Sequence, residues 1–191
     1  MGTPLTFSVV VPVFDEEDTI GDCLTRLAAQ FDQITEIVVV DNNSTDGGRA
    51  VIDAWCSADP RVRVIDEVRQ GLVYARNTGL DAATGDLIAR IDADTRVPPD
   101  WARTIVEFFT ADVRGDWAAL CGRGEAYDVP LAGRLDRWKT RLHPLNRLRG
   151  EQSVSEVPVL YGSNMVLRRA TWVRIRDRVS TVSYTHLTLP T

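Results

Sequence analysis

The chain has 191 residues, 44% of them hydrophobic and 26% charged, with a formal net charge of −5. That length and composition suit one globular domain with a substantial core, and the negative balance excludes an overall basic footprint for nucleic acid. No run approaches the ~18 consecutive apolar residues of a membrane span, and the N-terminus shows no basic-then-apolar leader pattern.

Phe7–Val11 is a continuous, largely β-branched apolar run, which predicts a strand covered on both faces. After Asp15 to Asp18, Ile20, Leu24, Leu27, Ala28 and Phe31 recur at helical spacing. Ile37–Val40 reads as a second strand, Ser44-Thr45-Asp46-Gly47 as a turn into a helix carrying Val51, Ala54, Trp55 and Ala58, and Val62–Ile65 as a short third strand. Leu72, Ala75, Gly79, Leu80 and Ala83 predict a helix that stops at Thr84-Gly85, followed by a strand over Leu87–Ile91. Pro98-Pro99 suits the entry to a helix with Trp101, Ile105, Phe108 and Phe109. Trp117–Cys121 reads as a further strand. Beyond it, Leu131, Leu135, Trp138, Leu142, Leu145 and Leu148 sit at helical spacing in a stretch with six cations and one acid. Such a basic amphipathic helix suits either a solvated cover over the core or peripheral contact with an anionic membrane. Val157–Tyr161 and Asn164–Leu167 read as strands around Gly162-Ser163. Strands alternating with helices in this way give an α/β fold, a mostly parallel, doubly wound sheet flanked by helices.

Three of the strands end in polar clusters: Pro12-Val13-Phe14-Asp15-Glu16-Glu17, Asp41-Asn42-Asn43-Ser44 and Asp92-Ala93-Asp94. In open α/β sheets ligands bind outside the carboxyl ends of the parallel strands, so these clusters should share one crevice. Asp92 and Asp94 are hard oxygen donors suited to Mg²⁺ or Mn²⁺, which take one or two carboxylates and complete their shell with phosphate and water. Alone, the pair is equally well a turn cap, because aspartates are common in loops. Neither GxGxxG nor GxxxxGK[ST] occurs, so the usual phosphate-cradling loops are missing. Asp41 offers an acceptor for a base N–H or ribose hydroxyls, and Arg76 with Asn77 offers donors for phosphates. Each also has a plain reading: Phe14 as core, Asp41 as a turn former, Arg76 as a surface cation.

The ordered set Val9-Val10-Val11-Pro12-Val13-Phe14-Asp15-Glu16-Glu17, Glu36 to Gly47, Gly71 with Ala75-Arg76-Asn77-x-Gly79, Ala83-x-Gly85-Asp86, Asp92-Ala93-Asp94 and Tyr161 to Arg169 resembles family 2 glycosyltransferases over roughly residues 6–178. One departure is Asn42, where a second Asp is frequent. The resemblance implies a GT-A fold and transfer of a sugar from a nucleotide diphosphate donor with inversion, and the basic stretch 131–150 suggests synthesis of a cell-surface polysaccharide or glycolipid. The resemblance places Pro12, Phe14, Glu16 and Asp41 at the nucleoside, Asp92 and Ala93 at ribose and diphosphate, and Asp94, with Asp92, at the metal. A carboxylate base is also required to take the acceptor proton. The family places it downstream of the Gly-Ser-Asn segment, where only Asp177 stands, so the base is expected to be missing.

Two other classes fit parts of the pattern. A haloacid-dehalogenase-type phosphatase would use Asp92 as nucleophile, but it expects Thr or Val where Arg96 stands and places its motif on the first strand. A non-catalytic nucleotide-sugar-binding module would need the acids only for structure. Two further expectations come from composition. Cys23, Cys56 and Cys121 are odd in number and far apart, which suggests free thiols and a cytoplasmic, reducing location. Residues 182–191 lack the Arg, Ala and Asp that enrich the rest and resemble adaptor read-through. We therefore expect the domain to occupy 1–181, incomplete at its C-terminus, with 182–191 a non-native tail.

Overall fold

The computed structural model describes residues 4–122 and 164–179. Its elements are β1 (Phe7–Val13), α1 (Glu17–Ala28), β2 (Glu36–Asp41), α2 (Gly48–Ala58), β3 (Val62–Asp66), α3 (Leu72–Ala82), β4 (Leu87–Ile91), α4 (Trp101–Ala111), β5 (Ala119–Cys121), β6 (Asn164–Arg168) and α5 (Arg169–Ile175), followed by a 3₁₀ turn at Arg176–Arg178. One six-stranded sheet runs in the order β3-β2-β1-β4-β6-β5. The first four strands are mutually parallel, whereas β6 pairs antiparallel with β4 and with β5. The expected helix-flanked α/β sheet is present, with an antiparallel pair at one edge.

Side chains alternate across a strand, and the two faces of this sheet show it. Val9, Val11, Ile37, Val39, Leu87, Ala89 and Ile91 pack with Ile20, Leu24 and Leu27 of α1, Ile52 of α2 and Ile105 and Phe109 of α4. Val10, Val38, Val40, Ile88 and Leu167 face the other way, against Ala75 and Leu80 of α3 and Trp172 of α5. Both faces are covered, so the strands read as continuous apolar runs rather than alternating ones.

Among the boundaries that differ from the sequence reading are those of β1 and β5. β1 continues two residues past Val11, because Pro12 and Val13 still pair with Val40 and Asp41 of β2. The strand expected from Trp117 starts only at Ala119. Asp112 accounts for the delay, since its carboxylate accepts the backbone N–H groups of both Asp116 (2.9 Å) and Trp117 (3.0 Å). The helix expected over 131–150, the strand at 157–161 and the tail 182–191 lie outside the described residues.

Candidate active site

The chain steps from β1 outward to β2 and β3, then returns to place β4 on the other side of β1. The order in which strands are added therefore reverses between β1 and β4, the place where open α/β sheets bind ligands. Pro12 marks the opening. Pairing of β1 with β4 runs only from Phe7↔Leu87 to Val10↔Arg90, while pairing with β2 continues through Pro12↔Val40. Proline has no N–H to give a ladder, so it suits the point where β1 has parted from β4. Pro12 is itself buried in the strand, and Phe14, 49% exposed, stands just beyond it at the rim.

The loops after β1 and β2 are laced together. Asp15 and Asn43 both adopt left-handed backbone conformations, with φ of 53° and 64°. Such strain in non-glycine residues persists only where neighbours fix it. Here Asp15 Oδ1 accepts the Thr45 N–H at 2.7 Å, and the Asp15 N–H donates to Ser44 Oγ at 3.2 Å. The first turns of α1 and α2 cap each other across the same gap. Asp46 accepts the N–H groups of Glu17 (2.8 Å) and Gly48 (3.0 Å), and the Glu17 carboxylate accepts the Gly47 N–H (2.7 Å). Glu16 accepts the Thr19 hydroxyl at 2.6 Å.

Asp41 closes β2 and is 6% exposed. Its Oδ1 accepts the Ser44 N–H at 3.0 Å and its Oδ2 accepts Arg49 Nη1 at 3.3 Å. Arg49 also bonds Asp53 and Asp66, so a single guanidinium ties the ends of β2 and β3 to α2. Asn42 explains itself in the structure. Its amide donates to the carbonyls of Glu67 (2.7 Å) and Arg69 (2.8 Å), and its oxygen accepts the Gly71 N–H (2.8 Å). A carboxylate there would meet two carbonyl oxygens, whereas an amide supplies both donors. Gly71 is held at φ 139°, a conformation that favours glycine.

β4 delivers the acids. Arg76 of α3 donates from Nη2 to Asp92 Oδ1 at 3.3 Å, and the Thr95 N–H closes a turn on the Asp92 carbonyl at 3.0 Å. Ala93 is buried in the core and Asp94 is exposed in a narrow depression shared with Asp18, Asp22 and Cys23. Burial pushes the Cys23 thiol up to about 12, helped by the negative charges of Asp22 and Asp94. All three cysteines are free thiols.

Among the described residues, no three His, Cys, Asp or Glu side chains gather as a metal-binding group. Among the described residues, the carboxylates just past the end of β4 are Asp92 and Asp94. That donor set fits Mg²⁺ or Mn²⁺, which keep water and substrate phosphate in their shell, and does not fit a closed structural site.

The downstream acid does not join this cluster. Asp177 lies on the 3₁₀ turn after α5, 91% exposed, facing Arg176 of its own turn at 3.8 Å. Arg176 in turn reaches Asp81 near the end of α3, and α5 itself starts beside Asp86, at the edge where β4 begins. Asp177 therefore belongs to the end of the sheet opposite Asp92 and Asp94. Asn164, at the site end of β6, pairs with Ile91 and accepts Trp101 Nε1 at 3.1 Å.

Sequence reasoning assigned no role to Arg90, although a lone cation in an apolar strand is a visible signal. Arg90 is 2% exposed. Burial draws its pKa down to about 10, with the nearby charge of Arg76 acting the same way and Asp92 opposing.

The described residues thus present three parallel strand ends bearing acids across a switch point, with an arginine from α3 on the first acid of a DxD. The model of the family described as "Glycosyl transferase family 2" matches residues 8–172, and the chain belongs to that family. Among curated proteins, it is 35% identical over 106 residues to the putative glycosyltransferase EpsH of Bacillus subtilis, covering 56% of this chain and 30% of that relative. Among solved structures, the mannosyltransferase PcManGT of Pyrobaculum calidifontis in complex with GDP-Man and Mn²⁺ superposes with a TM-score of 0.65 at 24% identity, covering 91% of this chain and 47% of that one. Glucosyl-3-phosphoglycerate synthase of Mycobacterium tuberculosis in complex with Mn²⁺, UDP and phosphoglyceric acid gives 0.58 at 23% identity, covering 92% and 65%. The chain spans about a third of the first curated relatives it matches, 30% of one and 36% of another.

Proposed function

We propose that this chain is the donor-binding portion of a metal-dependent, inverting glycosyltransferase that uses a nucleotide diphosphate sugar. The observation that carries the reading is that β1, β2 and β4 end on one edge of the sheet, with Phe14, Asp41, Asp92 and Asp94 at those ends and Arg76 bonded to Asp92. Phe14 offers an exposed ring beside Asp41 for the nucleoside, and Pro12 and Glu16 shape the turn that holds Phe14 there. Arg76 fixes the Asp92 carboxylate beside the ribose and diphosphate, with Ala93 anchoring the turn in the core. Asp94 and Asp92 would hold Mg²⁺ or Mn²⁺, which supplies neutralisation of charge on the departing diphosphate. That PcManGT is described with GDP-Man and Mn²⁺, and the synthase with Mn²⁺ and UDP, supports the metal and the donor class.

In the transfer itself the acceptor hydroxyl oxygen forms a bond to the anomeric carbon while the bond from that carbon to the diphosphate oxygen breaks. The hydroxyl proton passes to a carboxylate base. No described carboxylate is assigned that task, because Asp177 stands at the other end of the sheet. We therefore expect this chain to bind donor and to turn it over more slowly than a version extended past residue 181. A lipid or cell-surface polysaccharide acceptor, with peripheral contact at the cytoplasmic face of a membrane, is proposed from the basic stretch 131–150. Among the described residues no helix is long and apolar enough to cross a membrane.

The test is release of nucleoside diphosphate from a panel of UDP- and GDP-sugars, with Mn²⁺, Mg²⁺ or chelator, for this chain and an extended one. The expected result is metal-dependent release from one donor, faster in the extended chain, with inverted configuration of the transferred sugar by NMR. Release that ignores chelator and Asp94→Asn alike, or equal rates for both chains, would contradict the proposal.

A further inference from the structure

Arg90 presents an imbalance that the roles above do not absorb. Its Nε and Nη2, and Nε of Arg76, are buried with no hydrogen-bond partner among the described residues. Other arginines of this fold are served differently. Arg63 donates to the Ala82 carbonyl and to Glu36, and Arg168 donates to the Trp117 carbonyl and the Asp112 carboxylate. A buried guanidinium without acceptors is costly, so such groups are retained where something else supplies the partner.

The position of Arg90 says what that partner is. Residues two apart on a strand share a face, so Arg90 points with Ile88 to the α3 side, and Asp92 stands one residue past the end of β4, about 6.6 Å further along. Arg76 comes down from α3 onto Asp92 from that side. Val10 of β1 and Met165 of β6 flank Arg90 in the sheet. Two guanidiniums thus stand near one carboxylate, which Arg76 bonds, and three buried guanidinium nitrogens are left without acceptors beneath the strand end where β1 and β4 separate. Guanidinium forks match phosphate oxygens in geometry and charge.

We propose that Arg90 and Arg76 form a buried oxyanion subsite under the end of β4, and that the group it takes is the diphosphate of the donor. The inference rests on the donor-site reading above and deepens it. Charge on the diphosphate is then shared between the metal side, at Asp94, and the arginine side, beneath Asp92. The fold retains a destabilising buried cation for the sake of this contact.

The test compares wild type, Arg90→Met and Arg90→Lys by calorimetric titration with uridine, UMP, UDP, guanosine, GMP, GDP and inorganic pyrophosphate, all with Mn²⁺, alongside thermal melts without ligand. Arg90→Met is expected to weaken the nucleoside diphosphate and pyrophosphate at least tenfold. Nucleoside affinity should stay within twofold and the melting temperature should hold or rise, because an uncompensated charge has been removed. Arg90→Lys should recover part of the loss. A lower melting temperature with unchanged diphosphate affinity would show a structural arginine and overturn the proposal, as would equal losses for nucleoside and diphosphate. If wild type binds no nucleotide, the donor reading fails separately, and pyrophosphate then decides. Arg90-dependent pyrophosphate binding upholds the oxyanion subsite with a different phosphate source, and its absence overturns it.

Discussion

Replacing Gly79 with alanine tests the packing that brings α3, and with it Arg76, onto the site. A Cβ built on Gly79 would stand 2.2 Å from Val10 Cγ1 and 3.0 Å from Val40 Cγ2. Both valines are fully buried in central strands, and β-branched side chains have little rotamer freedom with which to yield. The helix or the strands must therefore move by about an ångström, an overpacking that typically costs ~1–3 kcal/mol, here at the upper end. Alanine in place of glycine inside a helix returns ~1 kcal/mol of helix propensity. The net is a destabilisation of ~2 kcal/mol, or a fall in melting temperature of roughly 4–8 °C for a chain of this size. The same displacement would lift Arg76 off Asp92, whose contact is already 3.3 Å. Thermal melts by circular dichroism, with UDP and GDP titrations in the folded range, read both effects. A variant as stable as wild type, or more stable, would mean that propensity outweighs packing and would refute the tight α3–sheet contact.

Other expectations are more local. Asp46→Ala removes caps from two helices at once and should cost ~2 kcal/mol. Because Glu17 and Asp46 cap reciprocally, the double variant with Glu17→Ala should fall short of additivity in urea unfolding, and strict additivity would argue against the shared cap. The Glu67 carboxyl is held at about 2, chiefly by hydrogen bonds from Arg69 against the opposing effect of burial, with Thr78 adding to it. A carboxyl depressed in the folded state stabilises above its unfolded pKa of ~4.3 and loses that stabilisation as pH falls toward about 2. Glu67→Gln should therefore cost ~1–2 kcal/mol at pH 7, reduced by the exposure of Arg69, and roughly half as much near pH 3. Equal penalties at both pH values would count against it. Cys23, buried and with its thiol pushed up to about 12, should resist iodoacetamide at pH 8 until the protein unfolds, read by mass spectrometry of labelled peptides. Rapid native labelling of Cys23 would contradict its burial.

The sequence made the strands legible because a sheet covered on both faces writes itself as unbroken β-branched runs, as at Val9 to Val11 and Val38 to Val40. The polar clusters were legible because parallel strands all end on one edge, so Asp41, Asp92 and Asp94 had to lie along that edge. Pairwise partnerships were not visible. Asn42 looked like a departure from a motif until its amide was seen to join two carbonyls and the Gly71 N–H across 29 residues. Nothing in the spacing marks Arg49, yet it binds three acids, Asp41, Asp53 and Asp66, from three elements. Arg90 was hidden for the opposite reason: its oddity is the lack of partners among the described residues, which only a structure can reveal. The distance of Asp177 from the site depended on the antiparallel direction of β6, which carries the following α5 back to the far edge of the sheet, and one-dimensional spacing does not encode that.

The most direct test of the central claim is calorimetric titration of this chain with UDP and with GDP, each with and without Mn²⁺, for wild type and Asp94→Ala. The predicted result is Mn²⁺-dependent binding of one nucleotide that the substitution abolishes while the circular dichroism spectrum stays unchanged. Binding of neither nucleotide by a folded chain, or binding indifferent to both Mn²⁺ and Asp94, would contradict the assignment of these strand ends as a metal-dependent nucleotide-sugar site.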